Sequence, residues 1–165
     1  MSGASTDAVT LRPMTRALCH ELFRGWENDP AIYADPAECR PYRYDESAVD
    51  RYFDAKQEPS RVLLAVMLRG RVIGEVQLKR IDRARGECTL SIHLQNDAVK
   101  GRGCGMLAER LALRHAFDVL GMNAVNADTV SSNMRSRHIL EKLGFRFLRE
   151  EDGFRYYRIE RGDAT

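Results

Sequence analysis

One stretch of this 165-residue chain constrains its fold more than any other: residues 90–120, which read as a strand, a glycine loop and a helix. Residues 89–94, Thr-Leu-Ser-Ile-His-Leu, alternate polar and apolar, the period of a strand with one buried face. After 95–99 comes Lys100-Gly101-Arg102-Gly103-Cys104-Gly105. From Met106 the period becomes helical, with Leu107, Leu111, Ala112, Phe117 and Leu120 recurring every three to four residues and Gly121 as a stop. Glycines packed this closely before a helix let the amides of 102–106 turn toward one anion. The unpaired N–H groups and the positive dipole end of the first helical turn add to the attraction, as do Arg102 and Lys100. The same glycines also suit a tight strand-to-helix turn that binds nothing. A Walker loop needs Lys-Ser or Lys-Thr where Met106-Leu107 stand, and a dinucleotide fingerprint needs glycine at 106, so both fail. A phosphate or pyrophosphate of another carrier is the expected ligand.

The rest of the chain reads around this unit. Residues 9–12 alternate and open a sheet; Thr15 caps a helix over 16–27 with Leu18, Leu22, Phe23 and Trp26 as its stripe. A proline-bearing loop leads to a second helix over 46–56, capped by Asp45, with Val49, Tyr52 and Phe53 on one face. The nearly continuous apolar run 62–68 predicts a central strand buried on both faces. After a tight turn at Arg69-Gly70-Arg71, residues 72–81 alternate, and Gly74 marks a bulge or a close backbone approach. Beyond the central helix come a strand over 124–129, a helix over 133–143 capped by Ser131 or Ser132 and ended by Gly144, and two late strands, 145–149 and 155–159. An early antiparallel sheet followed by a strand–helix–strand crossover predicts a mixed α/β sheet. The division is one domain over 9–161 behind a short flexible tail over 1–8.

Composition removes several classes. A net charge of +2 argues against a dedicated nucleic-acid binder. No apolar run reaches the roughly 18 residues of a membrane span, and the N-terminus lacks a signal pattern. Cys19, Cys39, Cys88 and Cys104 show neither C-x-x-C pairing nor metal spacing, so they read as free thiols of a reducing, cytoplasmic compartment, with no metal expected. Cys88 falls on the apolar side of its strand; Cys104, inside the glycine loop, is either reactive or merely small.

Lys100-x-x-Gly103-x-Gly105 resembles the Gln/Arg-x-x-Gly-x-Gly/Ala loop of the GCN5-related N-acetyltransferases, which holds the pyrophosphate of acetyl-coenzyme A. Lys100 departs mildly from it. A second block, Asn133-x-x-Ser136-x-x-x-Leu140-Glu141-Lys142-Leu143-Gly144-Phe145, resembles the matching segment of the branch that acetylates ribosomal-protein N-termini. The resemblance spans residues 9–158. It implies a mixed, mostly antiparallel seven-stranded sheet with about four helices, splayed between strands four and five. The acetyl-pantetheine arm would enter that gap and pair with His93, Leu94 and Gln95. The pyrophosphate would lie on Lys100, Gly101, Arg102, Gly103, Cys104, Gly105 and Met106, and Asn133 would contact the arm. Most relatives protonate the leaving thiolate with a Tyr where this chain has Leu140; in the ribosomal-type branch the Ser at position 136 is the proposed hydrogen-bond donor to the sulfur. The plainer reading is that Asn133 caps a helix and Ser136 packs its face.

The activity implied is acetyl transfer to a primary amine, a protein N-terminus or a small cationic amine, by direct attack in a ternary complex. The alternatives are an aminoglycoside or polyamine acetyltransferase, and a coenzyme A-binding module without catalysis, which Leu140 keeps in play. The family admits a homodimer. Such a transfer needs a neutral amine, a polarised carbonyl, aligned reactants and a protonated leaving group. Polarisation falls to a backbone N–H near Leu94. Histone-type relatives carry a catalytic Glu where this chain has Thr89, so Glu75 and His93 are the base candidates, with bulk solvent as a third option. Residues 27–58 hold nine acidic against four basic side chains, a net of −5 that would attract a cation, though a solvated face has the same composition. Trp26, Tyr33, Tyr42 and Tyr44 shape a pocket there or belong to the core.

Overall fold

The run 62–68 sets the architecture. In the computed structural model, which describes residues 8–164, it forms β2 (Val62–Leu68), and its side chains divide between two clusters. Leu64 and Val66 join the larger one; Leu63, Ala65 and Met67 join the smaller. A strand apolar on both faces must be covered on both. The helices α1 (Arg16–Arg24) and α2 (Glu46–Ala55) cover one face through Leu22, Phe23 and Val49. The helix α3 (Cys104–Arg114) covers the other through Ala108, Ala112 and Leu113, and α4 (Met134–Lys142) adds Leu140 to that cluster. Of the tail expected at 1–8, residues 1–7 lie outside the described residues.

Six further strands complete a seven-stranded sheet: β1 (Thr10–Pro13), β3 (Arg71–Asp82), β4 (Glu87–Leu94), β5 (Ala124–Val130), β6 (Arg146–Glu151) and β7 (Phe154–Glu160). Their order is β1-β2-β3-β4-β5-β7-β6, antiparallel except for β4–β5. That parallel pair is short. Glu87, Cys88 and Thr89 pair with Ala124, Val125 and Asn126; beyond them β4 keeps only β3 and β5 keeps only β7. The two strands part, and this is the expected splay.

Several local expectations are corrected. The first helix ends at Arg24, because Glu27 N–H donates to Gln95 O (2.9 Å) and Gln95 Nε2 donates to Leu22 O (2.7 Å), stapling the chain after α1 to the end of β4. The cap of α4 is Asn133, whose Oδ1 accepts from Ser136 N–H at 3.2 Å; Ser131 lies in the turn straight after β5, its N–H donating to Gly153 O of the β6–β7 turn at 2.8 Å. The central helix starts at Cys104 and ends in a π-helical turn over His115–Val119. Gly74 is both a bulge and a close approach. Val66 pairs with Gly74 and Met67 with Val72, so Ile73 is the extra residue, and a Cβ on Gly74 would lie 2.7 Å from His93 O. The bulge breaks the alternation that would have put Ile73 and Glu75 on one face: Ile73 packs in the larger cluster, whereas Glu75 is bonded to Tyr52 of α2.

Candidate active site

A cavity of about 380 Å³ opens where β5 leaves β4, within the usual range for small-molecule sites. Its sheet wall is Ile92, His93 and Leu94. Strand alternation sends His93 toward the α1/α2 face and its neighbours toward α3. Gln95 N–H is taken by Ile73 O at 2.7 Å, so the same alternation turns Leu94 N–H to the edge that β5 has vacated.

His93 is paired across the strands with Glu75, and its Nδ1 lies 3.9 Å from Glu75 Oε1, too far for a hydrogen bond. Burial pulls the imidazole pKa below its ordinary value, and the nearby Glu75 charge only partly opposes this. A neutral imidazole is the form that accepts a proton. Glu75 is 3 % exposed and does not reach the cavity, so it is neither solvated nor lining the cleft. Its Oε1 accepts from Tyr52 O–H at 2.5 Å and from Gln77 Nε2 at 3.1 Å. Burial, then the Glu75 charge, drives the Tyr52 hydroxyl pKa far up, so Tyr52 stays a donor.

The helical wall comprises Gly105 and Glu109 of α3 with Asn133, Ser136 and Ile139 at α4. Asn133 spends its Oδ1 on the cap, which leaves its NH₂ as the group it can offer a ligand. Ser136 is half-buried and lines the cavity; Leu140, one turn further on, is buried in the core. Glu109 is 5 % exposed, and burial alone pushes its carboxyl up to about 8. Sequence reasoning missed it. The stripe expected to be buried included Leu107, which is exposed, whereas Cys104, Ala108, Ala112 and Ala116 face the sheet. That series of small residues at four-residue spacing was the signal that would have turned the helix and brought Glu109 inside.

At the mouth, Gly101 (φ 74°) and Gly103 (φ 79°) have left-handed backbones, and a Cβ built on either would meet open space. With exposed Arg102 and the first amides of α3, they form a cradle that an anionic group can fill. Gly105 has an ordinary helical backbone, Met106 is half-buried, and Cys104 is buried away from the cavity. Two expected contributors are engaged elsewhere. Lys100 Nζ pairs with Asp29 Oδ2 at 2.9 Å and Asp97 Oδ1 at 3.5 Å, so its charge is met by carboxylates rather than free for a phosphate. Burial pushes the Asp29 carboxyl up, but Lys100 and the Ala31 N–H together outweigh it and hold the pKa low. Gln95 is absent from the cavity, its side chain clamped onto α1.

Of the acidic segment only Glu27 and Asp29 line the cavity; Asp50 and Asp54 are tied to Arg16, the former also to His20. Tyr42 and Tyr44 pack into the smaller cluster, and Trp26 is the aromatic residue that reaches the cavity. Among the described residues no cluster of three or more His, Cys, Asp or Glu is placed to hold a metal, and no helix is long and apolar enough to cross a membrane.

The family described as acetyltransferase (GNAT) domain matches residues 8–146, and this chain belongs to it. Members of that family are acyltransferases whose acetyl donor is acetyl-coenzyme A. Among curated proteins none matches the sequence. The fold resembles spermidine N-acetyltransferase from Vibrio cholerae in complex with CoA and spermine, at 19 % identity and a TM-score of 0.74, over 94 % of this chain and 97 % of that one. A dodecameric structure of spermidine N-acetyltransferase from the same organism gives 17 % and 0.71, over 94 % and 95 %. The Campylobacter jejuni N-acetyltransferase PseH gives 15 % and 0.70, over 93 % and 99 %.

Proposed function

We propose that this acetyltransferase acts on a cationic primary amine, with donor and acceptor meeting in the splay between β4 and β5. The observation that carries the reading is the cavity itself. It opens at the free edge of β4 and is bounded by His93 from one face of the sheet and by Gly105 and Ser136 from the other. In this assignment the cradle of Gly101, Arg102, Gly103 and the first amides of α3 holds the pyrophosphate. The pantetheine arm passes Asn133 and pairs with β4 at Leu94, whose N–H polarises the carbonyl. Ser136 O–H donates to the sulfur. His93 takes the proton of the attacking amine, and the charge of Glu75, fixed by Tyr52 and Gln77, favours the imidazolium that forms. Transfer is direct, since Cys104 does not line the cavity.

Glu27, which lines the cavity outside the Lys100 ion pairs, favours a cation, and the polyamine substrates named for the V. cholerae structures point to the same class. A protein N-terminus is the second reading, supported by the Asn133–Ser136 pair of the ribosomal-type block. The free cysteines suit the cytoplasm. The exposed Phe147, Leu148 and Phe154 on the β6–β7 hairpin, at the sheet edge, suit self-association. Thiol release from acetyl-coenzyme A across a panel of polyamines, aminoglycosides and N-terminal peptides tests the proposal. Release with polyamines is expected; none with any amine would reduce the chain to a coenzyme A binder.

A further inference from the structure

Two observations leave a gap in the chemistry just proposed. The hydroxyl at Ser136 can donate a hydrogen bond to the departing sulfur but cannot give up its proton to a thiolate, since even a cysteine thiol has a pKa of only about 8.5 and a serine hydroxyl lies far above any thiol. Leu140, one turn further along α4, is apolar and sealed in the core. The cavity nonetheless contains a second ionisable group on the leaving-group side. Glu109 sits on α3 one turn beyond Gly105, and helical side chains lean toward the N-terminus, so its carboxyl reaches back beside a residue with no side chain. A Cβ on Gly105 would meet only Ile139 Cδ1 at 3.6 Å and Leu94 Cδ1 at 3.9 Å. Glu109 therefore borders the cavity on the side of Leu94 and Ile139, in the same wall as Ser136. Among the described residues it makes no hydrogen bond or ion pair. A buried carboxyl without a partner costs stability unless it keeps its proton.

Resting on the acetyl-transfer reading, we propose that Glu109 is the catalytic acid of this enzyme, protonating coenzyme A as it leaves. The amine nitrogen bonds to the acetyl carbon, and its surplus proton passes to His93. The carbon–sulfur bond then breaks; sulfur keeps the electron pair and takes the Glu109 proton, leaving amide, thiol, an imidazolium that returns its proton to solvent and a carboxylate that is reprotonated from solvent after release. Base and acid thus stand on opposite faces of the sheet, one beside the acceptor and one beside the donor. The carboxyl's upward shift to about 8 places it close to the thiol it serves and keeps it protonated at neutral pH. The other titratable groups of the cavity are Glu27 and Asp29 after α1, His93 on β4, Asp97 and Lys100 before α3, and Arg135 on α4. His93 and Asp29 are both shifted downward, away from the alkaline range.

The test uses the full chain and the amine that gives the fastest wild-type release. Glu109→Gln keeps the shape of the side chain and removes the acid. Its kcat is expected to fall about 100-fold and to lose the alkaline limb near pH 8, while coenzyme A affinity stays within about twofold of wild type, which also reports a folded site. The defect should shrink toward nothing with acetyl thioesters of progressively more acidic thiols on the same pantetheine arm, a response a packing role would not produce. Unchanged kcat, a retained alkaline limb, or a defect independent of the leaving thiol would overturn the assignment. If the variant fails to fold, wild type alone decides: its alkaline limb must vanish with the acidic thiols, and persistence overturns the proposal. A wild type that releases thiol with no amine defeats the acetyl-transfer reading instead, and this inference with it.

Discussion

Two buried glutamates stand by the cavity, Glu75 behind its sheet wall and Glu109 in its helical wall, and the two are built in opposite ways. Glu75, behind His93, accepts from Tyr52 and Gln77. Glu109, in the same wall as Ser136, makes no hydrogen bond or ion pair among the described residues and is shifted by burial alone. The first arrangement fixes a charge near His93; the role proposed for the second is to store a proton. In this account the acceptor side of the splay therefore receives a proton and the donor side gives one, and the sheet separates the two.

That contrast can be broken at several points. The largest effect is expected at the base: His93→Ala should lower kcat/KM about 100-fold and remove the acidic limb, which lies below the ordinary histidine value because burial depresses the pKa. An unshifted limb would return the proton to solvent. Ser136→Ala should lower kcat about tenfold, with coenzyme A affinity near wild type by calorimetry; unchanged turnover removes its hydrogen bond to sulfur. Glu75→Gln acts through His93 and should cost only a few-fold. Because the Glu75 charge raises the imidazole pKa, its removal should move the acidic limb to lower pH, and a limb that stays put would detach Glu75 from the base. The smallest effect is on stability. With a folded pKa near 8 against an ordinary 4.5, Glu109 makes the folded chain hold a proton that the unfolded chain has lost, so stability declines as pH rises through that window. Glu109→Gln should melt above wild type at pH 8, with the gap closing below pH 4.5; a gap independent of pH would contradict a buried neutral acid.

The sequence made the donor side far more readable than the acceptor side. Gly101 and Gly103 need left-handed backbones, and such a need is written in residue type. The strand period of 89–94 and the apolar run 62–68 are likewise local signals, and β2 has the expected bounds. The burial of Glu109 depends on how α3 is rotated against the sheet, which Leu107 misreported and the small-residue series at 104, 108, 112 and 116 carried. The fates of Lys100 and Gln95 depend on contacts with Asp29 and Leu22, each more than seventy residues away in sequence, which no local period encodes. Nor could the acidic excess of 27–58 say which carboxylates reach the cavity, since Arg16 and Lys100 neutralise several of them.

The central claim is that donor and acceptor occupy the splay together and react without an acyl-enzyme. Initial rates of thiol release over a matrix of acetyl-coenzyme A and amine concentrations test it most directly. Intersecting double-reciprocal lines are predicted; parallel lines, the sign of a covalent acetyl-enzyme, would contradict it.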